Sequence, residues 1–507
     1  MAKFKSYSYE QMVMMAIAFD RQILPGTFEY NLTYLVDELL DSTIFHHRYK
    51  NDECGCPAYD PAILLKIILF AYSKGVTSSR KIEQLCRDNI LFIAVSANTQ
   101  PHFTTLAGFI SSSSKEIEQL FLQVLMVCDQ EGLIGKEMFA IDGCKLPSNA
   151  SKEWSGTHND LKNKKKKIER AVKYMLSKHR EADKHGLDED IMEKQKNQCR
   201  KLDKTAAKIK QFLSENEDRK GVSGKVVQSN ITDNDSAKMK TSHGVIQGYT
   251  GVASVDSKHQ VIVHAEAYGQ GQEHSLLKPS IEASHANLGF NDKQKQTTKI
   301  AADSGYHNEK ALEYLNDQKI DAYIADTGFR SRDPRFKTAE RHKSPRRLKP
   351  KTKFNVDDFN INKKAMTGTC PAGNAMRLKC QDGKIGNRRF MQFQADEKDC
   401  TSCPLKNNCL RSAKQKTPRQ VNIKVGMIKE HKDGLIEKMK QKIDSVRGRH
   451  IYSQRLGTVE PVFGNINTNI GINRFSVRGK PKVNAQWQLM SLIHNIFKIH
   501  RYAWHGA

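Results

Sequence analysis

Two runs of small and β-branched residues constrain the architecture most. GYTGVASVD, Gly248 to Asp256, and HQVIVHAEAYG, His259 to Gly269, alternate in polarity and flank a polar turn. They read as neighbouring strands. KEMFAIDGCKL, Lys136 to Leu146, reads as a buried strand ending in a turn. EHSLLKPSIEASHANLG, Glu273 to Gly289, reads as a helix in which Pro279 marks a kink or a break. TKIAADSGY, Thr298 to Tyr306, is a strand ending in an acid, after which Asn308 caps the helix NEKALEYLNDQ. DAYIAD, Asp321 to Asp326, is one more strand. The order strand, strand, strand, helix, strand, helix, strand predicts an α/β domain with a mixed sheet flanked by helices.

A chain of 507 residues is too long for one ordinary core. Residues 1–135 read as an all-α domain. Asn31 to Leu40, Pro61 to Tyr72, Ser78 to Val95 and Ser111 to Ile134 carry apolar residues at helical spacing or serine and proline start signals. These helices suit a DNA-binding module or a plain bundle. The α/β domain is expected over 136–330 and resumes at 445–507. Residues 161–220 interrupt it with 19 Lys and Arg against 11 Asp and Glu, a helical hairpin that is either a solvated face or a DNA-backbone contact. A second insertion, 331–444, is basic and cysteine-rich, and includes TAERHKSPRRLKPKTK.

The formal net charge is +26, a surplus that points to a polyanionic partner, most commonly nucleic acid. The longest apolar run, Ala62 to Tyr72, is short and contains Lys66, so it reads as a core helix and no membrane span is expected. MAKFKSYSYE lacks an apolar signal core, and the 11 cysteines are odd in number and unevenly spread. A reducing, cytoplasmic setting is expected.

Three acids stand out. Asp142 and Asp303 each sit where a strand is expected to end, the place where functional groups gather in open α/β sheets. Taken singly, each also suits an ordinary turn. Glu460 lies alone in YSQRLGTVEPVFGNI, within a basic chain. Three such carboxylates can hold two Mg²⁺ ions about 3.5–4 Å apart, with water and substrate phosphate completing the shell. Val459, Phe463, Ile466 and Ile470 recur at helical spacing, and Pro461 predicts that the helix starts near Val459 or kinks there. Tyr452 and Arg455 before the acid, and Arg474, Arg478 and Lys480 after it, are candidate DNA contacts.

These residues resemble the DDE transposases of bacterial insertion sequences over nearly the whole chain. LPGTFEYNLTYLVDELLDSTIF through SSRKIEQLC resembles their N-terminal helical domain. FAIDGCKLPSNASKEWSGT, TKIAADSGYHNEKAL and YSQRLGTVEPVFGNINTNIGINRF resemble their three catalytic motifs, which places Asp142, Asp303 and Glu460 on the family's acid positions. The resemblance implies an RNase H-like fold with an insertion between the second Asp and the Glu. It implies Mg²⁺- or Mn²⁺-dependent DNA cleavage at the terminal inverted repeats and transfer of the 3′-hydroxyl into target DNA. It further implies a homo-oligomer that pairs two ends on double-stranded DNA, associated with the nucleoid. Two departures stand out: Asn467 occupies a position where many relatives have Lys, and His102 one where relatives tend to have an acid. The alternatives are an RNase H-like nuclease that does not join strands, and a non-catalytic repressor descended from a transposase.

Cys370, Cys400, Cys403 and Cys409 form a C-x₂-C pair with two further cysteines, the pattern of a structural Zn²⁺ site. Cys380 is a substitute for Cys370, and free thiols in a reducing cell are the alternative. The span between them reads as a small hairpin. Cys54-x-Cys56 is too tight for the usual pair. His243, His264 and His274 are scattered, Trp154 and Trp487 read as core, and a final helix over Gln486 to Ile499 is expected to pack on the sheet.

Overall fold

A computed structural model describes residues 18–19, 21–49, 57–182, 189–221, 224–242, 244–333, 335, 353–363, 365–385, 388–412, 415, 417–427 and 434–504. MAKFKSYSYE, Cys54-x-Cys56, His243 and most of TAERHKSPRRLKPKTK lie outside the described residues. The chain divides into two compact units, 1–325 with 445–507, and 326–444. The fold is mixed α/β.

The first unit is built on a six-stranded sheet: β1 (Met138–Pro147), β2 (Ala237–Thr241), β3 (Gly244–Asp256), β4 (Ile262–Tyr268), β5 (Lys299–Ala302) and β6 (Ala322–Ile324). β3 lies antiparallel to β1 along one edge. Its other edge is shared, β2 pairing with Gly244–Gly248 and β4 with Thr250–Val255. β5 and β6 add on the far side of β1, both parallel. The sheet is therefore an antiparallel meander extended by two parallel strands.

The N-terminal helices belong to this same unit. Helix α1 (Pro61–Ser73) starts on the Asp60 cap, whose carboxylate accepts from Ala62 N at 2.7 Å. Its buried Lys66 is tolerated because Asp37 lies 2.6 Å away. Helix α2 (Ser114–Gln130) buries Leu120, Val124 and Cys128. The lysine-rich segment forms helix α3 (His158–Ala182) and helix α4 (Glu189–Glu215), which pack through Leu161, Ile209 and Phe212.

Helix α5 (Leu277–Asn287) holds Pro279 in its first turn, where a missing N–H costs nothing, so it neither kinks nor breaks as the sequence suggested. Helix α6 (Glu309–Asp317) starts at Asn308, whose side chain accepts from Ala311 N at 3.0 Å. Helix α7 runs from Val446 to Gly464 with Pro461 inside it, so the expectation that the helix starts near Val459 is corrected. Pro461 has no N–H for the Gly457 carbonyl, and the Gln260 amide supplies one instead at 2.8 Å.

Helix α8 (Lys480–Tyr502) is the last, longer than Gln486 to Ile499. It packs on β4 and on α1 and α2. Asn495 bonds both the N and the O of Ile262, and Asn484 accepts from Ala267 N, so the helix satisfies the otherwise open edge of β4. Trp487 donates to Val252 O at 3.0 Å and lies flat on Gly251, where any Cβ would sit 2.9 Å from the ring.

The second unit carries a five-stranded antiparallel sheet, larger than the hairpin read from sequence. Its strands are β7 (Asn360–Asn362), β8 (Thr367–Thr369), β9 (Ala375–Ile385), β10 (Arg388–Ala395) and β11 (Gln420–Met427), in order β11-β10-β9-β8-β7. Phe393, Met376 and Val421 form its core, with Cys370, Cys400 and Cys409 packed against it. No helix among the described residues is long and apolar enough to cross a membrane.

Candidate active site

The site forms where a ladder ends. β1 and β5 pair in parallel from Met138↔Lys299 to Ile141↔Ala302 and no further. The next residues on each strand, Asp142 and Asp303, therefore leave the ladder side by side. Asp142 lies in mid-strand rather than at a strand end, because the other edge of β1 stays paired with β3 through Asp142↔Ala253 and beyond. Asp303 caps the short turn Ser304–Tyr306, its side chain accepting from Ser304 N.

A third carboxylate joins them. Glu273 comes from the loop between β4 and α5, and Asp142, Glu273 and Asp303 each offer an oxygen within 4.8 Å of the others. Two glycines make the room. A Cβ on Gly305 would sit 2.8 Å from Glu273 Oε2, and one on Gly143 would sit 3.2 Å from Oε1. The three acids border an open groove of about 790 Å³ that also meets Lys145 and Lys240.

The electrostatics are those of crowded acids. Burial first, then Asp142, pushes the Glu273 carboxyl up to about 7. Burial raises Asp142 too, against the opposing pull of Arg455 and the Gly143 amide. Arg455 Nη1 lies 2.7 Å from Asp142 Oδ2, and Gly143 N lies 2.8 Å from Oδ1, so both oxygens are held. Burial and the three carboxylates push the Tyr306 phenol well above its usual value, and its hydroxyl meets no hydrogen-bond partner among the described residues.

The other sequence-derived candidates scatter. Glu460 is exposed on α7 and stands outside the group formed by Asp142, Glu273 and Asp303. Arg455, expected to grip DNA, is only 5% exposed and faces Asp142, because the face of α7 carrying Arg455, Val459 and Val462 packs inward. Its guanidinium also lies 5.7 Å from the Tyr452 ring centre. Arg474 is exposed. Arg478 Nε donates to Asn149 O at 2.6 Å, and Lys480 pairs with Glu266 at 3.0 Å. Glu273 escaped sequence reading because an acid before a helix is ordinary; its one signal was the Gly-Gln-rich GQGQ before it.

The donor set fits a hard divalent cation. It consists of carboxylate oxygens only, and it opens on a groove in which Arg455 pairs with Asp142 and Lys145 lies near Glu273. The chain matches two family models, one described as a transposase DDE domain over residues 369–500, the other as a transposase domain, DUF772, over residues 18–112. Both matches support an insertion-sequence DDE transposase. No curated protein matches it. The matched DDE region includes Arg455 and Glu460, whereas Asp142, Glu273 and Asp303 precede it.

Removing Arg455 leaves the partly buried Asp142 without its cationic partner. Arg455→Gln is expected to lower stability by about 3–5 kcal/mol, the usual cost of breaking a buried pair from one side. Mn²⁺ is expected to restore part of that loss by binding the folded state. Thermal unfolding with and without Mn²⁺ checks both; no loss on mutation contradicts the pairing.

Proposed function

We propose that this chain is an active transposase that binds the terminal repeats of its element and cuts and joins DNA at the Asp142, Glu273 and Asp303 site. The observation that carries this reading is the convergence of those three carboxylates where β1 and β5 part, in a chain matched by transposase models. The strand arrangement, an antiparallel meander with two parallel strands added beside β1, supports an RNase H-like fold.

Asp142, Glu273 and Asp303 would hold Mg²⁺ or Mn²⁺. When bound, such an ion supplies a Lewis acid that activates a water or a 3′-hydroxyl and offsets charge on the leaving 3′-oxygen. The residues themselves do the positioning. Arg455 and the Gly143 amide fix the two oxygens of Asp142. Gly143 and Gly305 leave space for Glu273 between the aspartates. Without a cation the acids repel a phosphodiester, so metal-free protein would keep DNA out of this end of the groove. Glu460 holds the family's third acid position and, being exposed, is free to meet substrate-bound metal or DNA. Double-stranded DNA and a paired second copy are the partners this reading requires.

The two glutamates separate in experiment. Glu273→Gln is expected to weaken Mn²⁺ binding to DNA-free protein at least tenfold, whereas Glu460→Gln leaves it intact. Glu460→Gln and Asp303→Asn are both expected to abolish cutting and joining of linear DNA carrying the element ends. Full cutting by Asp303→Asn would defeat the proposal, leaving at most a non-catalytic DNA binder.

The second unit supports a structural role for Zn²⁺. Cys370, Cys400, Cys403 and Cys409 line one small cavity, while Cys380 lies on β9 and is not part of that lining. Four thiolates suit tetrahedral Zn²⁺ and leave no position open for substrate. Metal analysis of purified protein is expected to find one Zn²⁺ per chain, lost in Cys403→Ser. A zinc-free wild type would show that these are ordinary thiols.

A further inference from the structure

Helix α3 carries a charge pattern that the catalytic reading does not use. Leu161 and Val172 are buried and Ile168 packs on the small core that joins α3 to α4. Met175 meets Cys199 at 3.8 Å, which fixes the same face against α4. At 100° per residue, Lys162, Lys166, Arg170 and Lys173 fall on the opposite side, within one narrow stripe, and all four are exposed. Glu169 is the acid that flanks the stripe, and its charge is met by Lys165 at 3.3 Å. The neighbouring outward residues are neutral, Asn163 and Ser177. A helix that merely needs a solvated face mixes both signs for i,i+4 support. This one segregates four cations without acids among them.

The spacing suits a nucleic-acid backbone. From residue 162 to 173 the helix rises ~16 Å. One DNA strand places a phosphate every ~3.4 Å of axis, so about five phosphates lie along that length. The base of the arm is fixed: His158 N donates to Asp218 Oδ1 at 3.1 Å, Lys164 lies 4.3 Å from the Trp154 ring centre, and Ile231 N donates to Trp154 O. The arm therefore leaves the unit just after β1, the strand that carries Asp142.

We propose that the stripe formed by Lys162, Lys166, Arg170 and Lys173 on α3 is a sequence-independent clamp for the phosphate backbone of double-stranded DNA. This rests on the reading of the chain as a protein that handles DNA, but not on its ability to cut. The clamp adds affinity without reading sequence, and its contribution falls with salt as counterions are released less favourably.

The test is fluorescence anisotropy with a labelled duplex of arbitrary sequence, titrated from about 50 to about 200 mM salt. The variant carries Lys162→Gln, Lys166→Gln, Arg170→Gln and Lys173→Gln in the full chain. Four lost phosphate contacts at about 0.9 each should flatten the log–log salt slope by about 3.6, so wild type loses about 150-fold more affinity over that range than the variant does. A second variant with Lys162→Arg, Lys166→Arg and Lys173→Arg should keep the wild-type slope, which separates charge from folding. A third with only Lys162→Gln and Lys166→Gln should show about half the change. A slope altered by less than one unit in the fourfold variant, or a wild type that does not bind the duplex, overturns the clamp. A flattened slope in the fourfold variant, beside a wild type that binds the duplex but cuts nothing, supports the clamp and sinks only the catalytic proposal.

Discussion

Three carboxylates confined within 4.8 Å repel one another, and the candidate site exists only because the fold opposes that repulsion. The opposition is local and identifiable. Arg455 brings a full positive charge to Asp142, and backbone amides of Gly143 and Ser304 donate to the two aspartates. What remains uncompensated appears at Glu273, whose carboxyl is pushed up to about 7 by burial and by Asp142. A group in that condition gains more from a divalent cation than an isolated surface acid does, since the ion supplies the missing counter-charge.

The scaffold behind the site explains why Arg455 can be where it is. Helix α7 must pack against β1 while continuing through Pro461, and the Gln260 amide takes up the carbonyl that proline leaves free. Helix α8 then closes the open edge of β4 through Asn484 and Asn495 and presses Trp487 onto Gly251. The same helix meets α1 and α2, so the N-terminal helices share one compact unit with the sheet instead of standing apart.

Much of this was legible from residues alone, and the failures have physical causes. The strands around Gly248 to Gly269 announced themselves by alternation, and the Asn308 cap by its position before a helical run. The convergence of Asp142 with Asp303 followed from strand patterns plus resemblance. Glu273 did not, because long-range register decides which loop acid folds over β1, and no local spacing encodes it. The burial of Arg455 was not legible for a related reason: periodicity identifies a helix, but the buried side of α7 is set by the sheet it meets. Pro279 misled because a proline's effect depends on its place in the helix, and Pro461 did not mark the start of α7 because its Gly457 carbonyl finds a partner distant in sequence. The five-stranded sheet around the cysteines was hidden by short, polar strands with few core residues.

The most direct measurement is anomalous diffraction from crystals of the protein soaked in Mn²⁺. The account predicts an anomalous peak bounded by oxygens of Asp142, Glu273 and Asp303, and no such peak in Glu273→Gln crystals soaked identically. A peak bound to Glu460 with Glu273 turned away, or unchanged occupancy in the Glu273→Gln protein, would contradict it.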